Sequence, residues 1–155
     1  MYTNNVEGRD KMKKFLICLY ALICVVTVCG CEKVGYKEGT YNGTAIDNYG
    51  GEENTATAKV VVNSAGKIES VYLDTTYGES TKKELGNDYN MKTYNPAAAG
   101  EWFEQVEKLE AAIVENQGTD FLALDEDGKT DAVSGCTIVI NALVEAVDNA
   151  LEQAK

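Results

Sequence analysis

Seven consecutive residues, Asp131-Ala132-Val133-Ser134-Gly135-Cys136-Thr137, place an acid, two hydroxyls and a glycine just ahead of a long apolar stretch. Ser134 is a good N-cap, Gly135 allows close backbone approach to a ligand, and Thr137 falls at N3 of a helix that begins there. Free amides and the positive end of the helix dipole then gather round a hydroxyl, which suits a phosphate. The same residues also describe an ordinary capped helix with no ligand. Composition narrows the chemistry further. There is no histidine, which removes His-based triads, HExxH zinc sites and the commonest general base. The only arginine is Arg9, so no guanidinium fork is available to a phosphate in the rest of the chain, and amides, hydroxyls or lysine must hold it. A threonine hydroxyl without a neighbouring base is a poor nucleophile, so any covalent chemistry at Thr137 calls for an external enzyme. With Lys+Arg 14 against Asp+Glu 25 the net charge is −11, which argues against nucleic acid as a partner.

The N-terminal segment carries an address. Lys11, Lys13 and Lys14 precede an apolar run over residues 15–28, which is shorter than the roughly 20 residues of a spanning helix. Small residues close it, as in a secretory signal. Val28-Cys29-Gly30-Cys31 resembles a bacterial lipobox, in which the last cysteine is lipidated and becomes the first residue of the exported chain. The expected organisation is a signal peptide over 1–30, a lipidated tether over 31–39 beginning at Cys31, and one folded domain over 40–155. Met12 offers an alternative start that would make 1–11 an upstream extension. The expected location is the extracytoplasmic face of the cell membrane, with the lipid as anchor. Cys18, Cys24 and Cys29 depart with the leader and Cys31 takes the lipid, leaving Cys136 as the sole thiol and no disulfide framework.

Strand patterns occupy residues 40–46, 55–62 and 67–73, rich in β-branched side chains and separated by Gly50-Gly51 and by a loop over 63–66. Residues 74–99, with Gly78, Gly86 and the only proline, Pro96, read as a long loop with at most a turn of helix. Over 101–116, Trp102, Val106, Leu109 and Ile113 form one apolar stripe of an amphipathic helix. Residues 121–124 read as a short strand and 125–128 as a solvated turn, lacking the distal ligand of a calcium loop. A largely buried helix is expected over 134–153. The order predicts an α+β domain, a small and mostly antiparallel sheet packed by two main helices.

The segment from Asp131 to Thr137 resembles the D-[GA]-x-[ST]-G-A-T signature of the FMN-binding domain family, found in subunits of Rnf and sodium-pumping NADH:quinone reductase complexes and in surface lipoproteins. Tyr36 to Ala45 resembles that family's opening, Lys67-Ile68-Glu69-Ser70-Val71 its second hairpin strand, and Tyr89-Asn90-Met91-Lys92 with Glu101-Trp102 its lipoprotein branch. The likeness spans residues 35–154. It implies FMN joined covalently, by a phosphodiester made by a flavin transferase, to Thr137, with Ser134, Gly135, Cys136 and Asp131 around the attachment. Two positions depart from the pattern: Cys136 replaces alanine, and Val139 stands where many members have a second hydroxyl.

An isoalloxazine ring needs apolar or aromatic walls, for which Tyr77, Tyr89, Tyr94 and Trp102 are candidates, while Lys92 and Lys129 are candidate charge partners. The resemblance thus implies a membrane-tethered electron carrier, rather than a stand-alone enzyme, working between an unidentified donor and acceptor. The alternative is a cofactor-free surface-interaction lipoprotein with the same fold.

Overall fold

The structure is a computed structural model that describes residues 35–155. Cys31 and the leader lie outside the described residues. Three long strands, β1 (Gly39–Asp47), β2 (Asn54–Val62) and β3 (Ile68–Tyr77), and the short β4 (Ser80–Thr81) form an antiparallel meander in the order β1-β2-β3-β4. Four helices follow β4: α1 (Lys82–Leu85), α2 (Met91–Tyr94), α3 (Trp102–Asn116) and α4 (Asn141–Glu152). This is the α+β arrangement expected, with α3 and α4 as the two main helices. Residues assigned to the tether are tied down from Tyr36 onward: its N–H donates to Gly66 O, and that of Lys37 to Ala154 O.

One face of the sheet forms the core. Val60, Val62, Ile68 and Leu73 meet Val106, Leu109 and Ile113 of α3, and Leu143, Val147 and Leu151 of α4, in one apolar cluster. Near α4 the sheet surface is made of small residues: Gly43 and Ala45 on β1, Ala56 and Ala58 on β2. The helix answers with Ala146 and Ala150, and the two backbones come so close that a Cβ on Gly43 would lie 2.0 Å from Ala146 O.

Both open edges of the long meander are closed by helix side chains instead of further strands, which keeps them from templating another chain. At the β1 edge, Asn149 Nδ2 donates to Thr44 O (2.9 Å) and Gln153 Nε2 to Asn42 O (2.8 Å). At the β3 edge, Glu110 accepts the Leu73 N–H (2.5 Å), and Gln117 exchanges both of its amide groups with the backbone of Ile68 (2.8 and 2.9 Å).

Three local expectations are corrected. The loop over 74–99 is largely structured: β3 runs on to Tyr77, Thr81 caps α1 through the Glu84 N–H, and a 3-10 turn, Gly86–Tyr89, leads to α2. Asp74 organises it by accepting the N–H groups of Thr75 and Lys83. The strand at 121–124 is absent. Its backbone turns on Thr119, whose carbonyl takes the Leu122 N–H, and the β1 and β3 edges it would need are occupied by the side chains just described. The last helix starts at Asn141, not at Ser134. Gly135 has φ +77, outside the helical region, and the Cys136 N–H closes a turn onto Val133 O. Cys136, Ile138 and Ile140 are then buried while Thr137 is exposed, an alternation of period two that belongs to extended chain. The Ile140 N–H is held by Gly128 O at 2.8 Å, which fixes where the helix can begin.

Candidate functional site

Thr137 lies four positions ahead of α4, so the helix-start argument does not apply to it: Ser134 caps no helix, and no α4 dipole end meets the hydroxyl. A different device presents the residue. Gln105, on the core side of α3 and 0% exposed, accepts with the single oxygen Oε1 both the Thr137 N–H (2.8 Å) and the Thr137 Oγ1–H (3.1 Å). Its Nε2 donates to Gly100 O (2.9 Å) and to Met91 Sδ (3.5 Å). All four hydrogen-bonding positions of the amide are therefore used. Because the Thr137 backbone can only donate, the amide oxygen must face it, and the hydroxyl must also donate there. The Thr137 side chain is fixed from beneath on an otherwise exposed residue.

One turn along α3, Lys108 supplies the nearby cation. Its Nζ is 3.4 Å from Gly135 O, and a Cβ on Gly135 would lie 2.6 Å from that nitrogen. The left-handed backbone is what calls for glycine here; the lysine end could swing aside. Cys136 points the other way. It is 2% exposed, and burial pushes its thiol up, against smaller opposing effects of the Ile138 backbone and the Lys108 charge. It packs as a small hydrophobe, and the thiolate that a helix start would have favoured has no such support. Ser134 and Asp131 are exposed on the same loop.

The aromatic candidates divide. Tyr89 meets Trp102 edge-on at 6.5 Å between centroids and Tyr77 at 5.1 Å, while Tyr94 stands apart, 84% exposed. Over this group sits Lys82, with Nζ 5.7 Å from the Tyr89 centroid and 5.3 Å from that of Trp102. Asp47 Oδ2 is 3.5 Å from the same nitrogen. On β3, Thr75 is 1% exposed and its Oγ1 has no partner. Lys92 is exposed on α2; its N–H and that of Met91 are held by the Glu101 carboxylate at 3.3 and 2.8 Å. Met91 also touches Gln105, so α2 and the Thr137 loop meet on one buried side chain. Lys129 follows the 125–128 turn, and its N–H is accepted by Asp125 Oδ1 at 2.8 Å. Among the described residues no group of three or more Cys, Asp or Glu is placed to hold a metal ion.

Lys82 makes a pH prediction. Burial, the largest influence, lowers its pKa from the ordinary lysine value, with Asp47 opposing. The folded protein then releases this proton before the unfolded chain does, so stability rises with pH from the lowered value up to the ordinary one near 10.5. The stability difference between wild type and Lys82→Met in urea titrations should grow from neutral pH to pH 10; the difference is the reading because Cys136, Tyr72 and Tyr89, pushed up by burial, act in the opposite sense in both proteins.

Gln105, Lys108 and Lys82 escape a reading of the sequence. For Gln105 a signal existed: positions 102, 105, 106, 109 and 113 all fall on the buried stripe, and a glutamine there must find partners inside the protein. Lys108 and Lys82 carry no comparable mark.

A clamped hydroxyl on an exposed residue, a lysine bonded to the same loop at Gly135, and an aromatic cluster at the start of α3 are groups that a phosphate and a flat ring system could each use. The family model described as FMN-binding domain matches residues 49–152, and the chain belongs to the FMN-binding domain family. That membership supports FMN as the cofactor. The residues present fit it: a hydroxyl and a lysine for the phosphate, and the partly exposed Tyr89 with the exposed Tyr77 for the ring system. No curated protein and no solved structure matches the chain.

Proposed function

We propose that this chain carries FMN covalently on Thr137 and works as an electron carrier tethered to the extracytoplasmic face of the membrane by a lipid on Cys31. The observation that carries the proposal is the hydroxyl of the exposed residue Thr137, which lies in the segment that resembles the attachment signature and is held by the buried amide of Gln105. When bound, FMN supplies exchange of one or two electrons. The chain's own residues bind and orient it. Thr137 Oγ1 holds the phosphate end, and the Lys108 ammonium offsets the phosphodiester charge. The partly exposed Tyr89 and the exposed Tyr77 offer the ring an aromatic wall, backed by the buried Trp102 and Lys82. Lys92 and Asp131 remain on the rim as contacts for the transferase or for the cofactor. A covalent tether keeps the cofactor from being lost outside the cell. Cys136 does not stand in the way, because its side chain is packed in the core where an alanine would also sit.

The test is colour and its persistence. Protein produced with a flavin transferase should be yellow, and should keep its flavin through denaturation and gel filtration in guanidinium. Protein that is colourless under these conditions, or that sheds all its flavin on unfolding, overturns the covalent reading.

A further inference from the structure

We infer that Gln105 is the positioning residue for modification of Thr137, holding the hydroxyl so that its oxygen, and not its proton, faces an incoming phosphorus. This rests on the reading of Thr137 as the attachment point. In the step concerned, Thr137 Oγ1 forms a bond to the flavin-side phosphorus of a flavin dinucleotide. The pyrophosphate P–O bond breaks and adenosine monophosphate leaves; the hydroxyl proton, acidified as the new P–O bond forms, then leaves Gln105 Oε1 for the transferase or water. Nothing is oxidised or reduced.

An amide oxygen is too weak a base to take that proton, so Gln105 does not act as the general base. What it does is geometric. By accepting both the N–H and the O–H of one residue, it fixes the backbone and the side-chain torsion of Thr137 together, and leaves the oxygen's lone pairs uncommitted among the described residues. Gln105 is itself immobilised by Gly100 O and Met91 Sδ, at full burial. A merely structural glutamine would need only the amide bond. The second bond, to a hydroxyl on an exposed loop, adds little to the core but sets the direction of a nucleophile. Freeing that hydroxyl to rotate costs about tenfold to a hundredfold in rate, the usual range for a misdirected reacting group.

The experiment measures transfer from flavin adenine dinucleotide by purified transferase to wild type, Gln105→Met and Gln105→Glu, with kcat and KM for the acceptor protein determined separately. Gln105→Met removes the acceptor; its kcat should fall in the stated range with KM little changed and melting still cooperative. Gln105→Glu mimics the amide while protonated, its carbonyl oxygen accepting from Thr137 and its O–H donating to Gly100 O, and loses that donor on ionising. Its rate relative to wild type should fall as the buried carboxyl ionises, a pH dependence that a packing defect would not produce. If wild type itself is never modified, the attachment reading fails and this inference goes with it. If wild type is modified and folded Gln105→Met matches its kcat, attachment stands and the positioning role is overturned. The role is likewise overturned if Gln105→Glu is equally slow at every pH, which also decides the matter should Gln105→Met fail to fold.

Discussion

Thr137→Ala, produced together with a flavin transferase, emerges without covalent flavin, while Thr137→Ser retains part of the modification. The first outcome follows from the loss of the only hydroxyl that Gln105 holds. The second follows from geometry: serine keeps both the N–H and the O–H that Oε1 accepts, but lacks the methyl that restricts the side-chain torsion. The alanine variant should fold normally. The residue is exposed, and its backbone bond to Gln105 survives the substitution. Loss of flavin without loss of stability is what distinguishes an attachment residue from a structural one; the paired readings are flavin absorbance after denaturation and the urea midpoint. A Thr137→Ala protein modified to the wild-type extent would move the attachment elsewhere.

Gly43→Ala produces the largest stability change expected from a single methyl group. A Cβ at this position would lie 2.0 Å from Ala146 O and 2.6 Å from Ala150 N, both backbone atoms of α4, so no side-chain rotation can relieve the clash. The helix must lift away from β1, which disturbs the bonds from Asn149 and Gln153 to the strand edge as well as the alanine packing beneath them. Overpacking of this kind costs about 3 kcal/mol at the upper end of the usual range. Denaturant unfolding of the two proteins measures it directly. The contrast with Gly50 and Gly51 provides a control. There a Cβ meets nothing within 4 Å, although the positive φ of both still disfavours a side chain. An alanine at Gly43 that leaves the midpoint unchanged would mean that α4 does not sit on the sheet as described.

Much of this architecture could be read from residue types alone, for identifiable reasons. The hairpins declare themselves because β-branched residues alternate between polar loops, and α3 because Trp102, Val106, Leu109 and Ile113 recur at helical spacing on a chain with polar residues elsewhere. The start of α4 was ambiguous in principle. Cys136, Ile140, Leu143 and Val147 fit a helical stripe, while Cys136, Ile138 and Ile140 fit an extended alternation, and only the bond from Ile140 to Gly128 and the backbone of Gly135 decide between them. The misassigned strand at 121–124 has a similar origin: a short apolar run becomes a strand only if an edge is vacant, and those edges were taken by α3 and α4.

The candidate site shows the same division. Thr137 could be found because its neighbours spell a recognisable segment. What presents it could not, since Gln105 lies 32 positions away and meets it only after α3 has packed on the sheet. The expected helix dipole was replaced by a buried amide, and the lysines nearest the loop and the aromatics, Lys108 and Lys82, come from α3 and α1 and not from the flanking turn. Hydroxyl chemistry was legible locally; its orientation is a tertiary property.

The most direct measurement is peptide mass mapping of wild-type protein made with the transferase, denatured and cleaved before analysis. The peptide containing Thr137 should gain the mass of FMN less one water, with fragmentation placing the addition on that threonine. The same peptide at its unmodified mass, or an FMN addition mapped to any other residue, would contradict the account.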